Sequence, residues 1–393
     1  MKLTYKHTMT SCFVGYIVQA VNANFFPLLL ITLQDTYGIP LDQITFLITA
    51  NFVVQLLVDI VGALVVDKIG YRPCIVAAHV FSAAGILMLT FLPDVMPPFA
   101  GLLICVMTYA VGGGLIEVLI SPIVESCPTD NKEAAMSLLH SFYSWGSVAV
   151  VLLSTLFFAA FGIQNWRICA VFWGLIPIVN GAVFTKVPLA PLIAEGEQGM
   201  KPADLFRSSF FWVLLLMMLC AGASELSISQ WASAFAEKGL GISKAAGDLA
   251  GPMAFAVLMG TVRAVYGKFG AKLVLDKCIA LSAVVCVCSY LLIVFVPNPI
   301  VNLIGCGLCS LGVAILWPGI LSKASSVLRN GGTSMFALLA VAGDLGCSSG
   351  PLTVGLVSDA AGGALKAGLL AAAVFPLLLL LCIFLLPRKK KNI

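Results

Sequence analysis

"GALVVDKIGYRP", Gly62–Pro73, crowds Asp67, Lys68 and Arg72 into six positions of a chain that is only 10% charged. On either side the sequence runs apolar for about the length that a helix needs to cross a bilayer. The whole chain shares this character: of 393 residues 60% are hydrophobic, with 22 basic and 18 acidic. Soluble domains carry about 25% charged residues, so the composition is that of a membrane protein with no sizeable soluble domain. The first hydrophobic stretch begins near Met9 and holds Asn22 and Asn24 in place of a small-residue cleavage site, so it reads as a retained first helix. The 13 cysteines lie mostly inside apolar runs, where cysteine acts as a small hydrophobe; neither a metal site nor a disulfide framework is expected.

Cutting the apolar runs at polar and Pro/Gly-rich breaks predicts twelve spanning helices, over 9–33, 44–66, 73–92, 98–121, 133–161, 166–187, 209–236, 246–266, 274–296, 299–321, 331–357 and 364–386. One connection is long. It suggests a six-helix bundle over 1–187, a cytoplasmic linker over 188–208, a second bundle over 209–387 and a basic cytoplasmic tail over 388–393. With the N-terminus inside, 18 of the 22 basic residues fall on the inner side, Arg263 and Lys323 counted among them; Arg167, Lys238, Lys244 and Lys366 fall outside. This asymmetry predicts that both termini are cytoplasmic. Topology then accounts for the net charge of +4, and no nucleic-acid partner is expected.

The chain also repeats itself. At an offset of 200, "DKIGYR" (67–72) lies over "GKFGAK" (267–272), Gly112 over Gly312 and Gly146 over Gly346. Parallel halves of this kind mark one class of secondary transporter. The loop motif, its weaker copy and the 6+6 layout resemble the major facilitator superfamily over the whole chain. Narrower stretches, "HSFYSWGS" (140–147) and "GDLGCSSGP" (343–351), are similar to its fucose-permease-like branch. Two features depart from the pattern: the family's glycine four residues before the aspartate falls on Ala63, and the family's helix-1 aspartate is missing, since helix 1 offers Gln19, Asn22 and Asn24.

The resemblance implies that Asp67, with Lys68, Gly70 and Arg72, forms a cytoplasmic gate near the start of helix 11, and that helices 1, 4, 7 and 10 surround a central cavity. Ionisable residues inside spans are functional candidates by default, and Asp59, Glu117, His140, Glu225 and Asp344 stand out. In helix 4, Glu117 shares a face with Gly114 and Ser121, where a desolvated carboxylate can take up a proton or meet solute; a structural hydrogen bond is the alternative. In helix 7, Glu225, Ser229 and Ser233 recur at four-residue spacing beside Gln230 and Trp231, a stripe suited to sugar hydroxyls. Helix 1 offers Gln19 and Asn22 three residues apart. Trp317 serves either stacking or core packing. His140, with Ser144 and Ser147, suits a proton relay but more commonly a histidine there bonds a neighbouring helix. Asp59 and Asp344 each have a polar residue one turn away, Gln55 and Ser348, and are candidates to share a cation or a proton.

No phosphate-binding glycine loop and no catalytic constellation occurs, so neither an enzyme nor an ATP-driven pump is expected. The sequence points to a monomeric, multi-pass carrier in the cell membrane, coupling a small polar solute such as a sugar to H+ or Na+, without cofactor. Efflux of drugs or metabolites, and a non-transporting sensor on the same fold, are the alternatives.

Overall fold

The computed structural model describes residues 3–190, 192, 199–328 and 330–385. The basic tail 388–393, Arg329 and residues 191 and 193–198 of the linker therefore lie outside the described residues. Among the described residues the chain is all helical, and 12 helices are long and apolar enough to cross a membrane. They are α1 Tyr5–Tyr37, α2 Phe46–Ile69, α3 Tyr71–Met88, α4 Pro98–Ser126, α5 Lys132–Phe161, α6 Ile163–Phe184, α7 Ser209–Glu237, α8 Leu249–Phe269, α9 Leu275–Phe295, α10 Pro299–Val327, α11 Gly332–Ala360 and α12 Leu365–Leu385. Each corresponds to one expected run, with ends shifted by a few residues. The protein is a multi-pass membrane protein.

Gly70 explains the turn in the opening motif. Its φ of +94° ends α2 and starts α3, a conformation that costs glycine little and other residues a good deal. The copy folds differently. Gly270 has an ordinary φ of −61°, and α8 runs into a 3-10 turn over Gly270–Lys272.

Four spans are broken, α12 only by the single residue Ala373 between Ala372 and Val374. α1 passes through a 3-10 turn at Phe26–Leu29, which contains Pro27. α7 ends its first helix at Ser229 and resumes at Ala232. α10 stops at Val313 and resumes at Leu316, because Pro318 has no N–H for the carbonyl of Ala314 four residues earlier. Non-helical backbone at membrane depth persists only where protein groups or water satisfy it.

Burial separates the helices. In their most apolar windows α4 and α7 are 61% buried but α2 only 17%, with Phe52, Leu57, Val61 and Leu64 exposed. Such side chains suit lipid.

The described residues fall into two compact units. The first contains α1–α4, α5 from Phe142, α6, and Gly332–Ala337 at the start of α11. The second contains Asp130–Ser141 at the start of α5, then α7–α10, α11 from Leu338, and α12. Their packing follows the sequence repeat. A Cβ at Gly112 would meet the backbone of Ala78 and Ser82 on α3, and one at Gly312 would meet Cys286 and Ser282 on α9. Gly146 lies against Ala20 and Ile17 of α1; Gly346 lies against Leu219 and Ala223 of α7. All of these pairs are related by the 200-residue offset to within a helical turn.

The exchanged starts of α5 and α11 are matched as well. In the first unit, Ser334 Oγ donates to the carbonyl of Ala63 at 2.5 Å. In the second, Ser137 Oγ donates to the carbonyl of Arg263 at 2.9 Å. Residues 63 and 263 are again repeat partners, so Ala63 occupies a position whose backbone, rather than its side chain, makes the contact.

Candidate functional site

In the first unit, α1 and α2 bring amides to one carboxylate on α4. Glu117 Oε2 accepts from Gln55 Nε2 at 2.8 Å and from Gln19 Nε2 at 3.3 Å. A carboxylate oxygen of Asp59, which is fully buried one turn beyond Gln55, lies within 4.8 Å of Glu117. One turn further along α4, Ser121 Oγ pairs with Tyr16 OH at 3.1 Å. Asn22 Nδ2 donates to Ser82 Oγ at 2.9 Å, and Asn24 Nδ2 to Ser147 Oγ at 3.1 Å.

Two acceptors in this cluster lack donors. Gln19 and Asn22 are each 6% exposed, and Gln19 Oε1 and Asn22 Oδ1 have no hydrogen-bond partner among the described residues. The carboxylate fixes the Gln19 amide with its nitrogen inward, which leaves its oxygen as the orphan. Gly113 makes room for it, since a Cβ there would sit 2.9 Å from Gln19 Oε1. A buried amide oxygen without a donor is costly, and a hydroxyl-bearing ligand removes that cost.

In the second unit, Glu225 of α7 faces a partner absent from the sequence expectations. Arg263 Nη2 stands 4.0 Å from Glu225 Oε2, while Arg263 Nε donates to Ala314 O at 2.9 Å and Nη1 to His140 O at 3.3 Å. Arg263 is 3% exposed, so it is not an inner-loop charge as its place in the basic count supposed. Lys323 needs the same correction: it is 5% exposed and pairs with Asp276 at 2.8 Å. The signal for both was present, since each lies within an apolar helical run where a cation must be compensated. His79 was also passed over. It is buried between Ile75 O and the Asn180 amide, each 2.8 Å from a ring nitrogen.

The Glu225–Ser229–Ser233 stripe is interrupted by the break in α7, so Ser233 belongs to the following helix. Gln230 is exposed at that break and Trp231 is half-buried. The Trp317 ring packs on the backbone of α11 at Gly343, where a Cβ would collide with it. Asp344 is half-buried, with Ser348 Oγ donating to its carbonyl at 3.1 Å. His140 is buried in the second unit, whereas Ser144 and Ser147 belong to the first.

At the opening motif, Asp67 and Lys68 are exposed. Arg72 Nη1 and Nη2 instead donate to Phe184 O and Val187 O, both at 2.8 Å, at the end of α6. Tyr71 OH bonds Thr333 Oγ1 at 2.7 Å, tying the loop to the start of α11 within the first unit. Arg72→Lys keeps the charge but loses the fork, and should lower stability by about 1–2 kcal/mol, read as a fall in unfolding temperature at unchanged topology.

The sequence profile of the Major Facilitator Superfamily matches residues 12–351. Solved structures of similar fold include the E. coli fucose:proton symporter FucP, at 17% identity, covering 97% of this chain and 99% of that chain with a TM-score of 0.78. The proton:xylose symporter XylE, solved with 6-bromo-6-deoxy-D-glucose, is 12% identical, with 96% and 94% coverage and a TM-score of 0.79. The human organic anion transporter MFSD10 is 15% identical, with 96% and 99% coverage and a TM-score of 0.71. At these identities the likeness speaks for the fold. The profile match over most of the length, the twelve spans and the 200-residue repeat agree, and the chain belongs to the major facilitator superfamily.

Proposed function

We propose that this transporter carries a small polyhydroxylated solute, such as a monosaccharide, into the cell together with a proton. The observation that supports the reading best is the cluster on α1, α2 and α4. Glu117 is a carboxyl group in a membrane-spanning helix, cradled by two amides, beside Asp59 and two buried amide oxygens that lack donors. Sugar hydroxyls donate to such oxygens; an apolar drug does not. Proton symport by the similarly folded FucP and XylE favours H+ over Na+ as the coupling ion.

In this reading Gln19, Asn22 and Glu117 meet the solute from one half, and Glu225, Gln230, Trp231 and Trp317 from the other. Glu117 carries the proton. The halves, 1–187 and 209–387, rock about that site to expose it alternately, and Asp67, Lys68, Gly70 and Arg72 work at the cytoplasmic gate. One chain in the cell membrane suffices.

The test is counterflow in proteoliposomes with a panel of labelled monosaccharides, amino acids and cationic drugs. Exchange of a monosaccharide and of no drug is expected; exchange of drugs alone would refute the reading. Orientation is tested separately. In a cysteine-depleted background, Pro297→Cys should react with an impermeant maleimide in intact cells and Lys268→Cys should not; the reverse pattern would invert the topology.

A further inference from the structure

Arg263 has more to do than neutralise a charge. A guanidinium whose only task is to compensate a carboxylate settles on it at about 2.8 Å. Here the separation from Glu225 is 4.0 Å, while two of the shorter contacts, at 2.9 Å and 3.3 Å, go to backbone carbonyls. One of those carbonyls is special. Ala314 O lost its helical donor when Pro318 broke α10, and Arg263 Nε replaces the missing N–H. The other, His140 O, lies in the part of α5 that packs with the second unit. One buried side chain on α8 thus joins α5, α7 and α10, and its own carbonyl accepts from Ser137 of the same α5 segment. The Glu225 side chain is 19% exposed against 4% for Arg263, so an incoming group reaches the carboxylate first.

We propose that Arg263 is a positioning residue that couples the occupancy of Glu225 to the break in α10 and to the first turns of α5. The loose ion pair holds Glu225 in place with oxygen capacity to spare for a solute hydroxyl. When a solute draws on that carboxylate, the guanidinium shifts its grip on Ala314 O and His140 O, and the two helices respond. Solute contact at Glu225 is taken from the function proposed above; the mechanical link from Glu225 to α10 does not depend on which solute binds.

Hydrogen exchange on the full chain in nanodiscs, without solute, tests the link. Glu225→Gln does not touch Ala314, yet exchange over 311–320 and 136–144 should rise about tenfold, with residues 365–385 unchanged. Arg263→Lys keeps the positive charge but has no fork, and should raise exchange in the same two segments. Should either single variant fail to purify, the double variant Arg263→Gln/Glu225→Gln removes both charges together and is read in the same segments. Wild-type exchange at 311–320 in these variants would overturn the proposal.

A kinetic reading separates positioning from mere support of the fold. With L-fucose or D-xylose as probe, whichever the chain exchanges, Arg263→Lys should lower kcat per folded protein about tenfold with KM within about threefold, whereas Glu225→Gln should raise KM. Unchanged kcat in Arg263→Lys would also overturn it. If neither sugar exchanges, the monosaccharide found by counterflow replaces them as probe; if no monosaccharide exchanges, the sugar reading fails, and hydrogen exchange still decides the role of Arg263.

Discussion

Glu117→Gln should exchange labelled for unlabelled solute at close to the wild-type rate and accumulate none of it against a gradient. The substitution keeps the shape of the side chain and its capacity to bond Gln19 and Gln55, but nothing on it titrates. Exchange needs only binding and rocking. Net accumulation needs a group that is neutralised by a proton on one side and releases it on the other, because a bare carboxylate is costly inside the bilayer. With one proton per solute, a gradient of about two pH units can drive about hundredfold accumulation, so the expected change is from tens-fold to none. Asp59 is the internal control: it lies within 4.8 Å of Glu117 and is another carboxyl able to hold the proton. If Glu117→Gln still concentrates solute while Asp59→Asn does not, the coupling role passes to Asp59.

Gly346→Val should abolish recovery of folded protein, and its repeat partner should be more forgiving. A Cβ at Gly346 would meet Leu219 O and, at 3.0 Å, Ala223 N; these are backbone atoms of α7 and cannot step aside. Small residues at such crossings let helices approach closely in a bilayer, where packing rather than a hydrophobic force holds them together. Overpacking a tight contact costs about 1–3 kcal/mol, and a branched side chain against backbone lies at or above the top of that range. Around Gly146 a Cβ would sit 3.0 Å from the Ala20 Cβ and 3.2 Å from the Ile17 Cα, contacts that a helix shift of a few tenths of an ångström relieves. Size-exclusion profiles of detergent-solubilised protein should therefore show Gly146→Ala as a monodisperse peak and Gly346→Ala largely as aggregate. Equal recovery of the two would mean that the α7–α11 contact is looser than its geometry implies.

Much of the architecture was legible in the sequence for concrete reasons. Apolar run length predicts a span wherever lipid is the solvent, and Gly112 and Gly146 mark close contacts that recur 200 residues later. The candidate site was legible only in part. Periodicity places Gln55 and Asp59 on one face of α2 and Glu117 and Ser121 on one face of α4, but it is silent on which helices face each other. The bond from Gln55 to Glu117 is a tertiary fact. Arg263 escaped because a count of basic residues by side treats every arginine near a helix end as a loop charge, whereas this one is pulled inward by Glu225 and the orphaned Ala314 carbonyl. The serine stripe of α7 looked continuous because no proline marks the break at Gln230 and Trp231.

Proton movement during solute entry tests the central claim most directly. Proteoliposomes in weakly buffered medium, with no imposed ion gradient, should draw protons from the medium when the transported monosaccharide is added outside, and the external pH should rise in proportion to labelled solute taken up. Glu117→Gln vesicles should take up the same sugar down its gradient with no change in pH. Wild-type entry of the sugar with no pH change, or entry that requires sodium, would contradict proton-coupled symport.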